Sequence, residues 1–174
     1  MLHWVTALGV FGLFALGWWM VDLGYYDPWY RDAPELHKGI GVLLFALVLV
    51  RLVWRVQSSG PKPLASHTRL IRSLALVTKG TLYALLIGVS LSGYLITTAK
   101  GDELRVFDLF GIPALVTGID NLEDIAGDFH WWMALVLLGL AALHAIAALK
   151  HHLLDRDDTL KRMTLGSTTA NNQS

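Results

Sequence analysis

The run from Phe129 to His152, FHWWMALVLLGLAALHAIAALKHH, constrains this chain more than any other feature. It sets His130 and His144 fourteen positions apart with no ionisable residue between them. In a helix that spacing is almost four turns and a rise of about 21 Å, so both imidazoles share one face at opposite depths. An apolar run of this length fits a hydrocarbon layer of about 30 Å. Ionisable side chains in such segments face the bundle interior and mark functional positions. Composition agrees: 54% of the 174 residues are hydrophobic and 16% are charged, against about 25% charged in a soluble domain. The chain reads as a membrane protein.

The absence of cysteine excludes disulfides, thiolate-bound zinc, iron-sulfur clusters and covalently attached c-type haem. Any metal or haem must be held through His, Met, Asp or Glu. The net charge is zero and no basic cluster is dense enough for nucleic acid.

Three further apolar runs precede the last one. The first, Leu2 to Leu23, contains His3 and lacks the basic n-region and cleavage site of a signal peptide. A connector rich in Tyr and Trp, DLGYYDPWYRDAPE, suits a membrane-water interface. The second run extends from about His37 to Val56, with Arg51 fourteen residues after His37 and therefore on its face. The third, from about Leu70 to Thr98, carries Lys79 and a small-residue stretch, GVSLSG, where helices can approach closely. The long connector Ala99 to Asp128 is acidic and has room for a short surface helix. The expected fold is all-α, a transmembrane four-helix bundle over residues 1–154, followed by a polar cytoplasmic tail over 155–174.

No Asp or Glu occurs from Leu36 through Gly101, and the connector after the second span offers Lys62, Arg69 and Arg72 beside Arg51 and Arg55. By the positive-inside rule this connector and both termini are cytoplasmic. The acidic connectors, with Asp27, Asp32, Glu35, Asp102, Glu103 and Asp124, face outward. This topology sorts the histidines by depth. His37 and His130 fall at the outer level, and His3 and His144 at the inner one. Two level pairs, each joining different helices, suit two b haems lying between helices, since each porphyrin needs one axial nitrogen from each side.

Other side chains have two readings each. Arg51 either snorkels to the cytoplasmic surface or pairs with a propionate of the inner haem. His151, seven residues beyond His144, is either an interfacial side chain or reaches a quinone head group. His67 lies in a polar connector and is expected to be solvated. Zinc or di-iron sites need clustered donors, usually including carboxylates, and the span interiors have none.

The sequences LHW, YYDPWYRDAPELHKGIG, VLVRLVWR, LYALLIGVSLSGYL and FHWWMALVLLGLAALHAIAALKHHLLDRDDTLKRM resemble the bacterial cytochrome b561 family of small four-span di-haem membrane cytochromes, over nearly the whole chain. The resemblance implies His3 and His144 as ligands of the inner haem iron, His37 and His130 as ligands of the outer one, and His151 at the quinone side. It also implies electron transfer across the bacterial inner membrane, with superoxide as donor and ubiquinone as acceptor in some members. Two departures from the family stand out. Only Met1 and Leu2 precede His3, so either translation starts upstream or the inner haem is unusually exposed. Lys79 and Ser90 replace a histidine and a proline that many relatives carry in the third span.

The expected function is therefore transmembrane electron transfer from a periplasmic one-electron donor through two bis-histidine haems to ubiquinone. Lys38, Lys100 and Arg105 are the cations available to attract an anionic donor. Two alternatives belong to other classes. The chain could be the haem-bearing membrane anchor of a larger redox complex with a protein partner, or a structural or sensing membrane protein without redox turnover.

Overall fold

The computed structural model describes residues 2–58 and 69–153. Within them the elements run α1 (Leu2–Met20), α2 (Asp32–Gln57), α3 (Arg69–Thr98), β1 (Leu104–Val106), β2 (Phe110–Ile112) and α4 (Leu122–Leu153). All four helices are long and apolar enough to cross a membrane. The connector holding Lys62 and His67, and the tail from 154 onward, lie outside the described residues. The side chain of His151 does too.

Two helices begin earlier than their apolar runs. α2 starts at Asp32 and α4 at Leu122, ahead of His37 and Phe129. Both first turns are acidic, with Asp32 and Glu35 in α2 and Glu123 and Asp124 in α4, which suits the positive end of the helix dipole. Pro34 fits the first turn of α2 because its missing N–H has no intrahelical acceptor there. Each histidine near these starts is thus held inside a formed helix.

α3 packs most extensively on α4 and α1 on α2, while α2–α3 and α1–α4 contacts close the bundle. Few side chains are fully buried, because a bundle in lipid turns most of its apolar surface outward. α3 ends at Thr98, and Gly101, at φ 94°, donates its N–H to the Thr98 carbonyl, a left-handed position that glycine adopts without steric cost.

The connector that follows, which has room for a short surface helix, holds a hairpin. β1 pairs antiparallel with β2 in the register Leu104–Ile112, Arg105–Gly111, Val106–Phe110. The two turn residues, Phe107 and Asp108, have φ of 49° and 56°, and Leu109 N–H bonds to the Val106 carbonyl at 2.9 Å. This is the turn handedness that matches strand twist. Such a backbone costs a phenylalanine on the order of 1–3 kcal/mol, and packing offsets it. Leu104 and Val106 are buried, and the Phe107 ring covers Gly39 of α2 so closely that a Cβ there would meet Cζ at 2.6 Å. Beyond the hairpin, the Tyr94 hydroxyl donates to the Pro113 carbonyl (2.7 Å) and accepts from Leu115 N–H (2.8 Å). The hairpin is thereby fixed across the ends of α2 and α3.

Gly39→Ala should destabilise the protein by about 1–3 kcal/mol through overpacking, measured as thermal unfolding in detergent. Phe107→Gly removes both the ring and the strained backbone, so Gly39→Ala should cost little in that background. Equal costs in both backgrounds would show that the ring does not set the limit.

Candidate cofactor site between the helices

Four histidines from three helices meet in two pairs. At the hairpin end, His37 of α2 faces His130 of α4 with ring centres 6.1 Å apart and planes at 71°. At the other end, His3 of α1 faces His144 of α4 at 6.5 Å and 86°. Two imidazoles binding one metal from opposite sides, each through a bond of about 2 Å, place their ring centres roughly 6 Å apart. Both pairs have this spacing. The separation of the pairs along α4 is the about 21 Å of fourteen helical residues.

Neighbouring backbone sets the chemistry of the hairpin-end pair. The Val89 carbonyl of α3 lies 2.9 Å from His130 Nδ1. A carbonyl only accepts, so Nδ1 carries the proton and the Nε2 lone pair is free for a metal. Ser92 Oγ donates to the same carbonyl at 2.9 Å and lies 3.3 Å from Nδ1. His37 Nδ1 is buried, turned toward the Leu13 backbone outside good hydrogen-bond geometry. Glycine makes room for both rings. A Cβ on Gly17 would lie 3.1 Å from His37 Cε1, and one on Gly93 would lie 3.0 Å from His130 Cε1. The pair opens on an apolar cavity of about 700 Å³, walled by residues such as Phe14, Phe45 and Leu138 and roofed by Leu104 and Ile112 of the hairpin. Cofactor sites span roughly 300–1,000 Å³ and are mostly apolar.

The second pair has a cation against it. Arg51 of α2, sharing a face with His37, donates from Nη2 to His3 Nδ1 at 3.1 Å and lies 5.7 Å from the Tyr83 ring centre. His3 also packs on Trp4, with ring centres 5.5 Å apart. Among the described residues no group of three or more His, Asp or Glu side chains could hold a metal ion. The two facing pairs suit a planar cofactor that takes one nitrogen on each face.

Known proteins bear on this arrangement. The family model for prokaryotic cytochrome b561 matches residues 1–166. The chain belongs to the prokaryotic cytochrome b561 family. It is 47% identical over 168 residues to cytochrome b561 homolog 2 of Escherichia coli strain K12, covering 97% of this chain and 89% of that protein. It is 28% identical to the probable superoxide oxidase CybB of Yersinia pestis (93% and 90% covered) and 26% identical to E. coli cytochrome b561 homolog 1 (93% and 92% covered). This b561 cytochrome is accordingly a multi-pass membrane protein that carries electrons by b-type haem. The four-helix bundle is the expected one.

The three cations expected to attract a donor to this cytochrome are each engaged by a carboxylate. Lys38 pairs with Glu35 at 2.5 Å and Lys100 with Glu123 at 2.8 Å, while Arg105 lies 3.3 Å from Glu103 and 3.4 Å from Asp108. The hydrogen bond and charge of Glu123 hold the Lys100 ammonium above the usual lysine range. These pairs are solvent-exposed and leave little net positive field. Each of these three cations is thus locally neutralised.

Sequence reasoning missed four parts of the b561 site: the Val89 carbonyl, Ser92, Gly93 and Gly17. The stretch GVSLSG signalled close helix approach but not which side chain would enter. Nothing near Gly17 distinguished it from other glycines in the spans.

Gly93→Ala should displace His130 and lower b-haem content, read as Soret absorbance per protein. Gly139→Ala, where a Cβ meets nothing within 4 Å, should leave it unchanged. Equal haem content in the two variants would show that the His130 ring does not depend on the Gly93 gap.

Proposed function

We propose that this cytochrome moves electrons across the bacterial inner membrane through two b haems, from a periplasmic one-electron donor to ubiquinone. The observation that carries the reading is the pair of facing histidine pairs, 6.1 and 6.5 Å between ring centres, on the same face of α4. His37 and His130 hold the haem at the hairpin end, and His3 and His144 hold the second. When bound, haem supplies a one-electron iron couple whose potential follows its axial ligands, burial and hydrogen bonding.

The residues supply position and environment. The Val89 carbonyl keeps the proton on His130 Nδ1 and orients the ring. Gly17 and Gly93 let both imidazoles sit against neighbouring backbone. Leu104 and Ile112 of the hairpin add an apolar wall to the cavity. The carboxylate-free stretch from Leu36 to Gly101, with its arginines and lysines, supports an orientation in which the ends of α1 and α4 that carry His3 and His144 are cytoplasmic. The hairpin then faces the periplasm. His151 is the candidate for the quinone head group.

Superoxide is the donor suggested by likeness to the probable superoxide oxidase. Two superoxide ions each lose one electron to become dioxygen, and the two electrons with two protons convert ubiquinone to ubiquinol. A redox protein as donor, with this chain as the haem-bearing anchor of a complex, is favoured by one feature. Leu109 and Leu115 at the hairpin end are 81% and 78% exposed.

Pyridine-haemochrome analysis should give two haems per chain; one haem would defeat the reading. His37→Ala and His130→Ala should remove the same haem, whereas His144→Ala should spare it. If His130→Ala and His144→Ala gave the same loss, the two-level arrangement would be wrong. Anaerobic addition of superoxide should reduce the haems, with reoxidation on adding ubiquinone. Lack of reduction by superoxide alongside reduction by a co-purifying protein would favour the anchor role.

A further inference from the structure

The end of the bundle that carries His3 and His144 has an unbalanced charge. Arg51 contacts His3 and lies within electrostatic reach of His144. Lys79 of α3 is half-buried, within reach of both His144 and Arg55. No Asp or Glu occurs before Asp22, from Leu36 to Gly101, or from Phe129 to Leu154. Arg51 and Lys79 therefore flank one histidine pair, with the exposed Arg55 beside Lys79, where these stretches of helix offer no carboxylate. Like charges gathered in a poorly solvated place are costly, and an anion between them reverses the sign.

The Arg51 contact adds a second constraint. A guanidinium only donates, so His3 Nδ1 accepts and its proton sits on Nε2. Iron ligation through Nε2 needs the opposite tautomer. With His3 as a ligand, Arg51 must release Nδ1 and find another acceptor.

We propose that Arg51, Arg55 and Lys79 form a carboxylate-binding cradle that takes the propionates of the haem held between His3 and His144. This rests on the two-haem reading above and adds what orients the second haem. The haem edge bearing its two carboxylates points toward the cation cluster. Arg51 transfers its hydrogen bonds from His3 to a propionate, and Lys79 and Arg55 neutralise the second. The Tyr83 ring lies 5.7 Å from the Arg51 guanidinium.

The test uses full-length haem-loaded protein in a neutral detergent, with haem carrying isotope-labelled propionates, observed by redox infrared difference spectroscopy. Arg51→Gln and Lys79→Gln should each shift the labelled carboxylate bands, lower the potential of the haem at this end, and speed its loss about tenfold, the worth of one charge-assisted hydrogen bond. Lys79→Arg should restore retention, and Lys100→Gln at the hairpin end should change nothing. Propionate bands that stay fixed in both Gln variants would overturn the proposal, even if haem were lost faster. So would a loss reversed by added anionic phospholipid, which would assign the cations to a lipid head group. Finding only the His37–His130 haem in the unsubstituted protein would instead overturn the two-haem reading itself.

Discussion

The cost of placing imidazoles inside an apolar helix bundle governs the rest of this structure. A buried polar group needs a partner, and a membrane interior offers no water to supply one. At the hairpin-end pair one imidazole proton, that of His130, is accounted for by protein, which leaves a nitrogen for the space between helices. His130 shows the principle most fully: the Val89 carbonyl takes the proton, Ser92 supports the carbonyl, and the remaining lone pair points inward. The bundle geometry follows from bringing such rings to facing positions on different helices.

Close approach is the second requirement. A ring can reach a carbonyl on a neighbouring helix only if that helix presents no side chain at the contact. Gly93 and Gly17 provide this at the hairpin-end pair, on opposite sides of the cavity. The same device recurs one level further out, where Gly39 admits the Phe107 ring and ties the hairpin to α2. A single turn residue in an unfavourable backbone conformation is thereby coupled to the helix that carries His37.

The two ends of the bundle differ in charge logic. At the hairpin end every cation named as a possible attractant has its own carboxylate within 3.4 Å, so the surface is polar but locally neutral. At the opposite end arginine and lysine lie beside a histidine pair, and no carboxylate occurs in the stretches of helix around it. An uncharged or weakly steered donor suits the first end, and an anionic group suits the second.

Much of this was legible in the chain alone. Apolar run length determined four spans, and the fourteen-residue spacing of His130 and His144 determined two levels, because helical rise per residue is nearly invariant. The depth of His3 and His37 followed from which end of each span they occupy. Motif likeness pointed to the family before any contact was known. Tertiary structure decided what depends on neighbours distant in sequence. The acidic starts of α2 and α4 extended both helices beyond their apolar runs, since the helix dipole acts outside the hydrophobic signal. The hairpin formed in a connector with room for a surface helix, its strained turn stabilised by packing on Gly39. Above all, the tautomer of His130 and the pairing of Lys38, Lys100 and Arg105 are set by single atoms on other elements, and no local pattern in a sequence encodes which carbonyl or carboxylate will arrive there.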